Sequence, residues 1–287
     1  MSGVAVGISS IAVIGGGTMG NGIAHAAALG GFNVTLIEAQ QPLLDKTVAA
    51  IGANLARQAA KGAVSAEQKE AALARIKPAL KLDDARDAHV VIEAVPERMP
   101  LKKQIFEALD KICAPESILA TNTSSLSITE IAASTKRPDK VIGMHFMNPV
   151  PVMKLVELIR GYATSDETYQ AIHDLTIKLG KTPAVSKDFP GFIANRILMP
   201  MINEAVYALM EGVASKEDID TVMKLGMAHP MGPLTLADYI GLDVCLAVME
   251  VLHGGLGDSK YRPCPLLRKM VEAGHLGRKS GQGFYKY

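Results

Sequence analysis

The chain of 287 residues has no tryptophan and only three cysteines, Cys113, Cys245 and Cys264. Three is an odd number and the spacings are wide, so they form neither a disulfide framework nor a metal-ligand cluster; no metal site is expected. A reducing cytoplasm is their natural setting. Basic residues are missing from the start: the first lysine is Lys46 and the first arginine Arg57. An export signal needs a basic leader and a mitochondrial presequence is Arg-rich, so the apolar opening MSGVAVGISSIAVIGGG reads as neither. No apolar run approaches the roughly 20 residues that span a bilayer, which argues against an integral membrane protein. An excess of one charge is lacking too: 30 Lys and Arg against 29 Asp and Glu leave a net charge of +1. That balance gives no general attraction for nucleic acid or an anionic membrane, so a partner must be recognised locally.

What the chain does have is apolar mass, 48% of its residues, over a length between one and two ordinary domains, enough for a sizeable core. SIAVIGGGTMGNGIAHAAALG passes from a β-branched run through glycines into an Ala-rich segment: strand, tight turn, helix. Within it Gly15, Gly17 and Gly20 form G-x-G-x-x-G. The first glycine permits the turn, the second lets a phosphate approach the backbone, and the third lets helix and strand pack closely. The N–H groups at the helix start, around Thr18 and Met19, then face a pyrophosphate. A second strand, FNVTLIE, ends at Glu38, where an acid receives ribose hydroxyls. A carboxylate there accepts from the 2′ and 3′ hydroxyls and repels a 2′-phosphate, which favours NAD over NADP. Glu38 could also be a plain exposed strand-end acid.

QPLLDKTVAAIGANLARQAAKG has helical periodicity and stops at Gly62, and SAEQKEAALARIKP opens on a Ser65 and Gln68 capping box. Two helices are thus inserted before the next strand. Strands recur as HVVIEAVPE, SILATNTSS and KVIGMHF, with helical PLKKQIFEALDKICAP between the first two. This alternation predicts an α/β, Rossmann-type, doubly wound and mostly parallel sheet whose strand ends line a cleft. The pattern shifts near SKDFPGF. Helical periodicity then dominates, as IANRILMPMINEAVYALMEG with a kink expected at Pro200, SKEDIDTVMKLG capped by Ser215 and Asp218, LTLADYIGLDVCLAVMEVLHGG, and PLLRKMVEAG. The expected domains are 1–188, dinucleotide-binding, and 189–287, all-helical, with Met- and Leu-rich surfaces suited to a homodimer.

The stretch HFMNPVPVMKLVELI sets His145 and a single carboxylate, Glu157, within two otherwise apolar strands. A charge in a dry core costs several kcal/mol unless paired, so the two groups are expected to meet across the NPVP turn. A carboxylate on one ring nitrogen fixes the tautomer and leaves the other nitrogen as a general base. Without further context, a lone histidine on an apolar strand is more often a satisfied core residue.

GMHFMNPVPVMKLVELI, TNTSSLSI, PGFIANRIL and GRKSGQGFY together resemble the 3-hydroxyacyl-CoA dehydrogenase family, over nearly the whole chain from Ile11 onward. The nearest likeness is to its short, stand-alone bacterial members that act on 3-hydroxybutyryl-CoA. The resemblance implies reversible hydride transfer between NAD and C3 of an (S)-3-hydroxyacyl-CoA, most simply a short-chain one. It implies that His145 takes the proton of the 3-hydroxyl, that Glu157 orients and charges the pair, that Ser124 binds the substrate oxygen near the nicotinamide, and that Asn195 polarises the reacting carbonyl. It also implies cofactor contacts at Glu97, Lys102, Ser124, Asn148 and Lys279, and contacts with coenzyme A at Lys61 and at Asn54, where relatives often carry serine. Taken alone, Glu97 and Lys102 read as a helix-start acid and a solvated base, Asn148 as a turn residue, Lys279 as a tail charge, Ser124 as a helix cap, Asn195 as a water-facing polar residue and Lys61 as a surface lysine. Two other functions fit a similar pattern. A β-hydroxyacid dehydrogenase for small free acids would carry a catalytic lysine in its second domain, and a non-enzymatic dinucleotide-binding protein would have lost Ser124, His145, Glu157 or Asn195.

Overall fold

The computed structural model describes residues 7–287, so residues 1–6 of the opening read for a leader lie outside the described residues. By internal packing the chain divides into two units, the first ending at Asp188 and the second running from Phe189 to Tyr287. Among the described residues, no helix is long and apolar enough to cross a membrane.

The first unit begins with β1 (Ser10–Ile14), α1 (Thr18–Leu29) and β2 (Asn33–Ile37). It continues through α2 (Gln41–Ala60), α3 (Ala66–Ala74), β3 (Ile76–Ala79), β4 (Val90–Glu93), α4 (Met99–Ile112) and β5 (Ile118–Thr121). It closes with α5 (Ile128–Ala132), β6 (Val141–Phe146), β7 (Leu155–Arg160), α6 (Asp166–Lys178) and β8 (Thr182–Lys187). The eight strands form one sheet in the order β3-β2-β1-β4-β5-β6-β7-β8. All neighbours run parallel except β6 and β7, which are antiparallel. Central strands such as β4, VVIE, are buried at every residue, as expected for a sheet covered on both faces. Because β2 lies on one side of β1 and β4 on the other, the strand order reverses there and a crevice opens beyond their C-terminal ends.

Small residues set the helix against this sheet. Gly15 has φ +97°, and a Cβ on Gly20 would lie 1.8 Å from the Gly15 carbonyl oxygen, so the turn and the first helical turn tolerate no side chain at Gly20. Leu44, Thr47, Ile51 and Leu55 make the buried stripe of α2, spaced at helical intervals. The Ser65 hydroxyl accepts from Gln68 N–H while the Gln68 side chain accepts from Ser65 N–H, a complete capping box for α3.

Two expectations are corrected here. The helical pattern of SAEQKEAALARIKP does not run to Pro78: α3 stops at Ala74, and Ile76–Ala79 pairs in parallel with Val34–Ile37 as the edge strand. An edge strand tolerates Pro78 because an outward position needs no ladder N–H. In the second unit, LTLADYIGLDVCLAVMEVLHGG is two helices. They part at Gly241, whose φ of +106° no helix accommodates.

That second unit comprises α7 (Ala194–Met210), α8 (Lys216–Thr221), α9 (Pro233–Ile240), α10 (Leu242–Leu256) and α11 (Pro265–Glu272). Pro200 lies inside α7 and Ser215 caps α8 by accepting from Asp218 N–H. Met199, Ile202, Val206, Leu234, Leu242, Leu252 and Leu267 form its core. The C-terminal tail is latched to α9, where buried Asp238 accepts 2.9 Å bonds from the N–H groups of Phe284 and Tyr285. Apolar side chains remain on the surface of this unit, among them Val213, Val222, Leu225 and Met227.

Candidate active site

Beyond the ends of β1 and β2 lies a cleft of about 490 Å³, bordered by Gly17, Thr18, Glu38, Thr47, Asn54 and Asn148. It is built around the glycine turn. The Thr47 hydroxyl lies 2.8 Å from the Gly16 carbonyl oxygen, and Asn21 Nδ2 donates to the Thr47 carbonyl, so α2 clamps the loop from outside. A Cβ on Gly17 would meet no heavy atom within 4 Å and would fill the space in front of α1. No side chain caps α1, so its first N–H groups are donors available at the cleft end, an arrangement that suits an anion. Thr18 borders the cleft, Met19 is half-buried beside it, and Gly15 and Gly20 are buried in the packing of the turn. The Glu38 carboxylate accepts from Gly16 N–H and from Ala39 N–H, both at 2.7 Å. These bonds orient the acid at the cleft wall and leave lone pairs on both oxygens for hydroxyl donors. Open space at Gly17, N–H donors at the helix start and an acceptor carboxylate suit the phosphates and ribose hydroxyls of a dinucleotide.

At the ends of β4 and β5 sits a second group of polar side chains. Lys102 is 1% exposed and therefore not the solvated base its sequence context allowed. Its ammonium lies 2.7 Å from Glu93 Oε1 and 3.3 Å from Glu97 Oε2. Glu93, fully buried, also accepts from Val95 N–H and the Thr121 hydroxyl, each at 2.7 Å. Sequence reading passed over Glu93, whose only signal was an acid closing an otherwise apolar strand. Glu97 accepts from the Thr123 hydroxyl at 2.5 Å and from Ser124 N–H at 2.8 Å, with the Ser124 hydroxyl at 3.3 Å. Burial works against the charge on Glu97. The Lys102 ammonium and the Thr123 and Ser124 donors outweigh it and hold the carboxyl below its usual range. Ser124 thus faces Glu97; the side chain that caps α5 is Ser127.

His145 and Glu157 are directly opposed in the antiparallel register of β6 and β7, with Nδ1 2.7 Å from Glu157 Oε2. Glu157 is 1% exposed and His145 8%. A carboxylate at that depth needs a bonded partner, and the bond fixes which imidazole nitrogen faces away from it. The loop between the two strands carries Asn148 to the cleft, and the Lys181 ammonium secures it by bonding the carbonyls of Val150 and Met153. Asn122 Oδ1 accepts from Phe146 N–H at 3.0 Å, tying the end of β5 to the residue after His145.

The remaining residues named from sequence lie on other elements. Lys61 is exposed at the C-cap of α2, about two turns along from Asn54, and does not border the cleft. Asn195 and Lys279 belong to the second unit: Asn195 lies in the first turn of α7, and the Lys279 ammonium bonds Asp243 at 2.6 Å.

Residues 10–189 match the model of the 3-hydroxyacyl-CoA dehydrogenase NAD binding domain, and residues 191–287 that of the 3-hydroxyacyl-CoA dehydrogenase C-terminal domain. A 3-hydroxybutyryl-CoA dehydrogenase of Bradyrhizobium diazoefficiens is 59% identical over 280 residues, covering 98% of this chain and 96% of that protein. The human mitochondrial hydroxyacyl-coenzyme A dehydrogenase is 43% identical over 290 residues, covering 98% of this chain and 91% of its own. Among solved structures, the (S)-3-hydroxybutyryl-CoA dehydrogenase from Ralstonia eutropha superposes with a TM-score of 0.96 at 52% identity, covering 98% of this chain and 99% of that one.

Proposed function

Because this chain belongs to the 3-hydroxyacyl-CoA dehydrogenase family and is an NAD-dependent oxidoreductase, we propose that it interconverts (S)-3-hydroxybutyryl-CoA and acetoacetyl-CoA through a His145–Glu157 pair. The observation that carries the reading is the 2.7 Å bond between Nδ1 of His145 and Glu157. With Nδ1 committed to the carboxylate, Nε2 is the atom that takes the proton from the 3-hydroxyl during oxidation. Glu157 stabilises the resulting imidazolium, and reduction requires the same ring protonated at the outset. Ser124 and Asn195 donate to the substrate oxygen as it passes between hydroxyl and carbonyl. NAD, when bound, would accept the hydride that leaves C3 of the substrate in oxidation, and NADH would return it in reduction. Gly17, Thr18 and Met19 would hold its phosphates, Glu38 its ribose hydroxyls, and Glu97, Lys102, Asn148 and Lys279 complete the cofactor contacts.

Residues 1–188 serve as the NAD-binding domain and residues 189–287 as the substrate and dimerisation domain. On the inserted helices, Asn54 and Lys61 meet coenzyme A, the ammonium of Lys61 suiting a phosphate. The exposed apolar side chains of the second unit make a homodimer interface, and the setting is cytoplasmic. The test is an absorbance assay with acetoacetyl-CoA. Rapid oxidation of NADH with much slower oxidation of NADPH is expected, since an unpaired 2′-phosphate would face the Glu38 carboxylate. Preference for NADPH, or for a free 3-hydroxy acid over its thioester, would refute the reading.

A further inference from the structure

Glu93 has no part in the chemistry above, yet it is the most firmly held charged group beside it. It is the last residue of β4, 0% exposed, and both its carboxylate oxygens receive donors at 2.7 Å: Lys102 Nζ and Val95 N–H on one, the Thr121 hydroxyl on the other. Thr121 in turn accepts from Thr123 N–H at 3.2 Å. Glu97 is held differently. It lies on the loop after β4 with 36% of its side chain exposed, and it is held by Lys102, Thr123, Ser124 and Ser125. Lys102 links the two acids, with the shorter bond to Glu93 and longer ones to Glu97 and the Val95 carbonyl. Order therefore runs from the strand outward, from Glu93 to Lys102, to Glu97, to the backbone and hydroxyl of Ser124. Stability is a weak reason for such an arrangement, because a buried ion pair is often no more stable than an apolar pair of the same size.

We propose that Glu93 is a positioning residue: it anchors the Lys102 ammonium, which orients Glu97 and thereby sets where Ser124 presents its hydroxyl. The inference rests on the reading of Ser124 as the group that meets the substrate oxygen. A displacement of the order of 1 Å in such a donor is enough to slow turnover strongly while leaving binding of the remote parts of the substrate intact. The signature is thus a loss in kcat with little change in KM for acetoacetyl-CoA, and the loss in kcat should vanish once the hydroxyl is removed.

The experiment is a double-mutant cycle with Glu93→Gln, which keeps the shape of the side chain but removes its charge and replaces one acceptor oxygen by a donor, and Ser124→Ala. kcat and KM are measured with acetoacetyl-CoA and NADH, and Tm is measured for each protein. Glu93→Gln should lower kcat roughly tenfold in the wild-type background and less than about twofold in the Ser124→Ala background, because coupled sites are non-additive. Equal losses in both backgrounds, or a lowered Tm with unchanged kcat, would overturn the positioning role. Wild-type turnover in Ser124→Ala would instead defeat the reading of Ser124, and this inference with it. Should Glu93→Gln fail to fold, Thr121→Val removes the hydroxyl under Glu93 at constant shape. A loss of about threefold is expected from it, again absent beside Ser124→Ala, and an undiminished loss there would overturn the proposal.

Discussion

His145 shows how much one bond can decide at the scale of a residue. Its ring is nearly enclosed, and its Nδ1 is held by Glu157 at 2.7 Å. His145→Gln is expected to fold and to bind NAD normally but to lose about 10²- to 10⁴-fold in kcat, the usual share of a general base. Steady-state kinetics on folded protein checks this, and near-normal turnover would remove His145 from the mechanism. His25 is the contrasting histidine. Fully buried in α1, its Nε2 pairs with Gln58 at 3.1 Å while Nδ1 finds no partner among the described residues. Burial pushes its pKa below the usual 6.5, and the bond to Gln58 only partly opposes this. The unfolded chain therefore takes up the proton first as pH falls. Stability should be level above about pH 6.5 and decline below it until the depressed folded pKa is passed. Urea unfolding from pH 7.5 to 5 should show this decline, and His25→Gln should flatten it; an identical slope in the variant would assign the decline to other groups.

At the scale of an element, the first helix and its glycine turn carry the tightest constraint. Gly20→Ala puts a methyl group 1.8 Å from the Gly15 carbonyl oxygen, a distance only backbone movement can relieve. Overpacking of this kind costs about 1–3 kcal/mol, and here the moving part is the loop that would meet the cofactor phosphates. A lowered Tm together with NADH affinity reduced about tenfold or more is expected, read by thermal denaturation and by fluorescence titration of NADH. A variant with reduced Tm but normal NADH binding would separate the turn from the cofactor site. The β6–β7 pair is the other decisive element. Strand side chains alternate between faces, so a slip of one residue would turn Glu157 to the face opposite His145.

Considered as a whole molecule, the chain divides into two units, and the second leaves Val213 at 71% and Leu225 at 80% exposure. Apolar surface of this kind favours a partner. Light scattering after size exclusion should give twice the 30.4 kDa chain mass, and Leu225→Asp should shift the protein toward the monomer with Tm little changed. A wild-type monomer at micromolar concentration would rule out the homodimer. Sequence by itself determined the alternation of strands and helices, the glycine turn with its acid at Glu38, the inserted helical pair with its Ser65 cap, and the helical second half. Each of these is written in neighbouring residues, as periodicity, capping chemistry or a fixed spacing. Only the tertiary structure decided the rest. Ile76–Ala79 is a strand because β2 offers it a ladder, although its own run ends a helical pattern and contains Pro78. Lys102 is a buried link rather than a solvated charge because Glu93 and Glu97 converge on it from the end of β4 and the loop beyond. That His145 and Glu157 meet is expected from the cost of an unpaired buried charge, but their direct opposition comes from strand register. Register, burial and pairing between distant residues are properties of packing, which no local pattern encodes.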